Sequence, residues 1–356
     1  MDPIACRYTG ERLVSDMRDY KNRTRSAELA GGRRSAAPAS APGPQKCTAW
    51  LAVVAAAIAT CLVWPDGVGA RGQDQDRPRF KGGVSRVNVA VTVRDRNGRL
   101  VTGLDSQDFV VIDAGSEKPV TDFEVREGGV SVAAVLDASG SMAIAGRLRL
   151  AVRTLDTLFA ALGDADEAAL FAFDSTLREL HPFTRDRAAL RAALEGVRPF
   201  GSTSLHDAIA EAARAVTGRP DRRGAVLIVT DGMDTSSALS PVEASGIASS
   251  VDVPIYVVGL DPSSGGTPIS DRCVASEEAR EELPCLSEWT GGAFVMARAS
   301  DQAEGAVQRM VSELRHQYMI AFEPATEPGW HPIEVRARGN RLLTRTRSWY
   351  WVGRRS

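Results

Sequence analysis

The sequence predicts an α/β chain: an open, doubly wound, mostly parallel sheet of Rossmann-like type, with small β segments flanking it from both ends. Three observations carry this. Between residues 128 and 316, short uninterrupted apolar runs alternate with segments whose apolar residues recur every three to four positions. That is the signature of strands buried on both faces and joined by crossover helices. Residues 86–127 and 317–356 carry strand signals but no helical period. Finally, 356 residues at 44% hydrophobic and 25% charged are ordinary globular composition, which excludes a disordered or collagen-like chain.

The N-terminal stretch stands outside that fold. Residues 1–47 are polar and rich in Arg, Ala, Gly and Pro. Thr48–Trp64 is apolar and uncharged, at the short end of what spans a bilayer, and Val68-Gly69-Ala70 fits a signal-peptidase site. Residues 1–70 therefore read as a leader with either a signal peptide cleaved after Ala70 or an uncleaved anchor and membrane tether through 48–64. Lys46 before the apolar core orients the body outward in both cases. The protein is expected to be exported: periplasmic, secreted or membrane-anchored. A start further downstream, such as Met17, would explain the unusual length of the leader. Residues 71–85, polar with Gly and Pro, read as a linker.

The body follows in order. Val87, Val89, Val91 and Val93 alternate with polar residues as a half-buried strand does, and Asn97-Gly98 signals a hairpin. Phe109–Ile112 and Phe123–Val125 read as short strands, closing an N-terminal β segment over 86–127. Val132–Leu136, Ala168–Phe173, Ala225–Val229, Val253–Val258 and Ala293–Met296 read as the strands of the central sheet. Between them lie helices carrying Leu148, Val152, Leu155, Phe159 and Leu162, then Arg187–Leu194, Leu205–Val216 and Pro241–Ser250. A further helix ends at Gly291-Gly292, and a last one buries Ala303, Val307, Met310, Val311 and Leu314. The C-terminal β segment, 317–356, offers Tyr318–Phe322, Ile333–Arg338 and Thr344–Val352. The two terminal segments are expected to pair into one small sheet, with Tyr318–Phe322 as an alternative closing strand of the central one. Trp349-Tyr350-Trp351 reads as sheet packing.

Charge and cysteines narrow the function classes. A net charge of -2, from 43 basic and 45 acidic residues, gives no basic excess for nucleic-acid binding. With four His and five Cys, the composition argues against a multi-zinc protein. Cys6, Cys47 and Cys61 fall in the leader. Cys273 and Cys285, close in sequence and in an oxidising compartment, suggest one disulfide, with two free thiols as the alternative. They lie in or beside a long loop opening at Gly265-Gly266, where partner specificity could reside.

The chemistry gathers at strand ends. The first central strand ends in Asp137-Ala138-Ser139-Gly140-Ser141, which offers one carboxylate and two hydroxyls on the same side of a turn. Gly201-Ser202-Thr203 brings a third hydroxyl just before a helix, and Thr230-Asp231-Gly232 follows the apolar strand Ala225–Val229. Ligands of open α/β sheets bind at the carboxyl ends of strands. An oxygen-only donor set suits Mg²⁺, with Mn²⁺ as the alternative.

In the order and context of DASGS (137–141), GST (201–203) and TDG (230–232), the chain resembles a von Willebrand factor A domain over about residues 128–316. The resemblance implies a metal-ion-dependent adhesion site (MIDAS) with direct metal contacts from Ser139, Ser141 and Thr203, and contacts mainly through water from Asp137 and Asp231. The flanks NVAVTVRDRNGRLVTGLDSQDFVVID and ELRHQYMIAFEP are similar to those of a bacterial, acidobacterial-type group of exported A-domain proteins. With little negative charge touching it, the ion would stay electrophilic and accept an Asp or Glu of a partner protein, as in cell adhesion. The leading expectation is thus a non-catalytic, metal-dependent protein-binding module. One alternative is a scaffold subunit of an envelope assembly with a purely structural metal.

A serine hydrolase is the remote reading. The pattern G-x-S-x-G is absent around Ser139, where Asp137 and Ser141 hold the glycine positions. His206 is expected on the surface or rim rather than as a base. Asp234 reads as a turn residue, Asp164 and Asp166 as a turn without function, and Arg147, Arg149 and Arg153 as a solvated helix face.

Overall fold

In the computed structural model, residues 86–125, 128–217, 222–261, 279–339 and 341–352 are described, with the backbone alone for 279–282. The described residues begin with β1 (Val87–Arg94), β2 (Phe109–Asp113), β3 (Ser116–Lys118) and β4 (Val120–Val125). Next come β5 (Val130–Asp137), α1 (Arg147–Ala161), β6 (Glu167–Phe173), β7 (Leu177–Thr184), α2 (Arg187–Leu194) and α3 (Leu205–Thr217). They are followed by β8 (Arg223–Thr230), α4 (Pro241–Ser250), β9 (Ile255–Leu260), α5 (Ala279–Trp289), β10 (Phe294–Ala297) and α6 (Ser300–Arg315). The chain ends with β11 (Tyr318–Phe322), β12 (Gly329–Ala337), β13 (Leu343–Arg345) and β14 (Trp349–Val352).

The central sheet runs in the order β10-β9-β8-β5-β6-β7. Every pairing is parallel except that of β6 with β7. All eight residues of β5 are buried, because helices cover both faces of the sheet. Val132, Ala134 and Leu136 point to one face, under α1, α2 and α6. Ala133 and Val135 point to the other, under α3 and α4. The mostly parallel, doubly wound sheet is thus the one expected. Because β6 lies on one side of β5 and β8 on the other, the strand order reverses at β5. The crevice that such a reversal opens lies at the carboxyl ends of β5 and β8, where Asp137 and Thr230-Asp231 stand.

One strand of this sheet had no sequence signal. β7 is an edge strand with no fully buried residue, and it carries Pro182. An edge position tolerates proline and imposes no apolar alternation, so neither periodicity nor composition marked it.

The two chain ends build more than one small sheet. They form two four-stranded antiparallel sheets, β13-β1-β11-β4 and β14-β12-β2-β3. These face each other as a sandwich: Val89, Val91, Ile320 and Phe322 of one meet Val111, Ile333, Val335 and Tyr350 of the other in a shared core. Tyr318–Phe322 pairs with β1 and β4, not with the central sheet. Thr344–Val352, read as one strand, is two strands in different sheets, β13 and β14. Between them Arg347 turns inward and donates to the carbonyls of Ser249 (2.9 Å) and Asn88 (2.8 Å), tying the sandwich to α4. The Asn97-Gly98 turn forms, with Gly98 at φ +77°, but its return arm is a single bridge between Arg94 and Leu100. Trp349 packs with Trp289 and Trp330, and the Tyr350 hydroxyl donates to Asp113 at 2.8 Å, as a packing role requires.

Among the described residues, no helix is long and apolar enough to cross a membrane. The apolar stretch 48–64, the candidate cleavage site and Cys273 lie outside the described residues. Cys285 is disulfide-bonded.

Candidate metal centre

Three loops meet above the carboxyl ends of β5 and β8, and backbone hydrogen bonds hold them in register. The Phe200 N–H donates to the Ala138 carbonyl (2.8 Å) and the Gly140 N–H to the Gly201 carbonyl (3.0 Å), which locks the loop of Thr203 to that of Ser139 and Ser141. Gly201 sits at φ +86°, a conformation that glycine adopts without steric cost. The N–H groups of Thr235 and Ser236 donate to the Thr203 carbonyl at 2.9 and 3.0 Å, tying the same loop to the segment after Asp231.

The side chains follow from these loops. Asp137 is fully buried, and both of its oxygens are engaged: Oδ1 accepts from the Ser139 N–H (2.9 Å) and Oδ2 from the Thr230 hydroxyl (2.6 Å). The Ser139 and Ser141 hydroxyl oxygens lie 3.1 Å apart. Thr203 and Asp231 are buried at the same rim. Burial pushes the Asp137 carboxyl above its usual range; the hydrogen bonds from Thr230 and Ser139 oppose this, and the negative charge of Asp231 adds to it. Thr230 links the two motifs. Its hydroxyl donates to Asp137 and accepts from the Gly232 N–H at 3.0 Å, a role the sequence reading did not give it.

The donor set fits a hard divalent cation. Of the two buried carboxylates, Asp231 pairs with a guanidinium, while Asp137 is hydrogen-bonded to the Ser139 N–H and the Thr230 hydroxyl, so a bound cation would offset the cost of burying a carboxylate at Asp137. Among the described residues, no three His, Cys, Asp or Glu side chains converge. A metal here must therefore draw on hydroxyls, as the sequence pattern expects. Asp137, Ser139, Ser141, Thr203 and Asp231 are the groups that could hold it.

The guanidinium is Arg147, whose place corrects the expectation of a solvated face at that residue, while Arg149 and Arg153 are exposed as expected. Its Nη1 lies 2.8 Å from Asp231 Oδ2 and 3.2 Å from the Ser141 carbonyl, and the side chain is only 14% exposed. The pairing spans 84 residues of sequence, which no local pattern encodes.

His206 corrects a second expectation, for it is buried rather than on the surface. It stands 3.6 Å from Asp234, and burial holds its pKa below the usual histidine value against the pull of Asp234 and Asp207. The hydroxyls of Ser139 and Ser141 pair with each other, and neither hydrogen-bonds this imidazole. Asp234 accepts from the Leu205 N–H (2.8 Å) and the Ser237 hydroxyl (2.6 Å), so it caps the start of α3 and does not widen an acidic rim.

Each of the three motif loops has a large, exposed apolar residue next to it in sequence. Ile144 is 60% exposed, Phe200 79% and Met233 42%, and each adjoins a different one of the three loops.

Residues 132–233 match the family model of the von Willebrand factor type A domain. No curated protein matches the sequence significantly. Among solved structures, the chain is similar to the conserved hypothetical protein BatB from Bacteroides thetaiotaomicron (24% identity, 52% of this chain and 98% of that one, TM-score 0.43). It is also similar to a von Willebrand factor type A protein from Catenulispora acidiphila (12% identity, 76% of each chain, TM-score 0.44). A third similar structure is proximal thread matrix protein 1 of the mussel byssus, whose MIDAS motif is occupied by zinc (19% identity, 57% of this chain and 49% of that one, TM-score 0.43).

Proposed function

We propose that this chain, which carries a von Willebrand factor type A domain, is an exported, non-catalytic binding protein that captures a carboxylate of a partner protein through a divalent cation. Ser139, Ser141 and Thr203 would hold Mg²⁺ or Mn²⁺ directly, and Asp137 and Asp231 mainly through water. The ion, when bound, supplies an electrophilic corner for the partner's Asp or Glu. The single observation behind this reading is the convergence of three sequence-distant loops, hydrogen-bonded to one another, on a cluster of oxygen donors of which Asp137, Ser139, Thr203 and Asp231 are buried.

Export belongs to the same proposal, through a leader over 1–70 or a tether through 48–64, as do the grouping with exported bacterial A-domain proteins and a Cys273–Cys285 disulfide. The experiment is a thermal melt of the full chain with and without Mg²⁺. The wild type is expected to gain stability in Mg²⁺ and Asp137→Ala to gain none, because only a ligand bound to the folded state stabilises it. An equal Mg²⁺ shift in Asp137→Ala rejects the site. Pull-downs from the envelope with and without chelator then separate capture from scaffolding: contacts that survive chelation belong to a scaffold.

A further inference from the structure

We infer that Arg147 is a built-in cation that competes with the divalent ion for Asp231 and so sets how much metal the site needs to fill. This rests on the metal-centre reading above. Four observations carry it.

First, position. Arg147 Nη1 bridges Asp231 Oδ2 and the Ser141 carbonyl, one group from each of two site loops. A divalent ion in the same cradle would face a guanidinium already holding one of its carboxylates. Two cations cannot share that carboxylate in a buried setting without mutual repulsion.

Second, helix electrostatics. Arg147 is the first residue of α1, where the helix presents its partial positive charge. That turn holds no acidic residue, and Gly146 provides no side-chain cap. A cation there works against the stability of α1, so the residue is not explained as helix support.

Third, incomplete satisfaction. Arg147 Nε is buried and, among the described residues, has no hydrogen-bond partner. A guanidinium that leaves for solvent regains water at that nitrogen, which lowers the cost of displacement.

Fourth, the backbone before it. Ala145 and Gly146 both lie in the left-handed region, at φ +53° and +74°. For alanine that conformation is unfavourable, and such strain persists where it aims a group at a site.

Together these give the site a charge balance of its own. Arg147 offsets the charge of Asp231 while the site is empty of metal, and a divalent ion has to displace that guanidinium to take its place. Without Arg147, the metal alone neutralises the carboxylates. The arginine thus weakens metal binding.

The test is isothermal titration of the full chain with Mg²⁺, and with Mn²⁺ as a second probe. Arg147→Met removes the charge and keeps most of the volume; it is expected to bind Mg²⁺ about tenfold more tightly, equivalent to about 1.4 kcal/mol. Arg147→Lys keeps the charge and is expected to stay near wild type. Unchanged or weaker Mg²⁺ binding in Arg147→Met overturns the inference while leaving the metal centre standing. No binding of either ion by wild type and by Arg147→Met overturns the metal centre and this inference together. Should Arg147→Met fail to fold, the wild type still decides: phenylglyoxal modification of Arg147, read by peptide mass spectrometry, is expected to quicken in Mg²⁺ relative to chelator. An equal rate in protein shown to bind Mg²⁺ overturns the inference.

Discussion

Replacing Glu313 with glutamine is expected to cost about 3 kcal/mol and to loosen the terminal sandwich from the α/β domain. Glu313 lies on α6, and its side chain is 4% exposed. Its carboxylate accepts from Arg94 Nε at 3.0 Å, and from Arg345 Nη1 at 2.8 and 2.9 Å. The Tyr256 hydroxyl of β9 donates to it at 3.2 Å. Burial, and next to it the Glu313 charge, push that hydroxyl well above the usual tyrosine range. One carboxylate therefore joins α6 and β9 of the α/β domain to β1 and β13 of the sandwich.

Glutamine keeps the shape but leaves two guanidinium groups without an anion. Breaking a buried pair from one side costs about 3–5 kcal/mol. The lower end applies here for two reasons. The Arg345 side chain is 40% exposed, so solvent screens its share. A cavity of about 350 Å³ also adjoins the cluster, lined by Arg94, Tyr256, Glu313 and Arg345, and gives water a route to the stranded groups. Thermal melting followed by circular dichroism should show a midpoint about 6–12 °C lower. A double-mutant cycle with Arg94→Met should return a coupling of about 1 kcal/mol or more. A midpoint loss under about 2 °C, or no coupling, would refute the idea that this carboxylate docks the two parts.

Two further outcomes follow from single residues. Thr230→Val keeps the volume but removes the hydroxyl that joins Asp137 to the Gly232 N–H; calorimetry should find Mg²⁺ affinity lowered about tenfold or more, and unchanged affinity would show that this link does not position the carboxylate. For Asp166, burial raises the pKa, but hydrogen bonds from Arg315, Gly163 N–H and Val130 N–H outweigh it and hold the carboxyl below its ordinary value. Its stabilisation is therefore complete above the unfolded-state value near 3.8 and is lost as pH falls through the lower folded value. Denaturant melts from pH 6 down to 2.5 should show wild type losing stability at the acid end and Asp166→Asn losing less; parallel curves would contradict this.

Asp166 shows where sequence reading stops. It reads as a turn residue, yet it accepts from the backbone of β5, 36 residues earlier, and from Arg315, 149 residues later. The three motif loops were legible because each is a short local pattern at the end of an apolar run. The buried stripe of α6 was legible for the same reason, since Ala303, Val307, Met310, Val311 and Leu314 repeat at helical spacing and are all buried. β7 was not legible, because an edge strand has no buried face to impose a period.

What the sequence determined by itself was therefore the class of fold and the residue types at the rim. Apolar spacing dictates strand or helix locally, and strand ends dictate where polar loops fall. What only the tertiary structure decided was which distant groups meet. It put Arg147 on Asp231 and Thr230 on Asp137, buried His206 beside Asp234, and joined the two chain ends into two facing sheets. The physical reason is that such encounters depend on strand order and register, which spread over the whole chain and leave no mark on any short stretch of it.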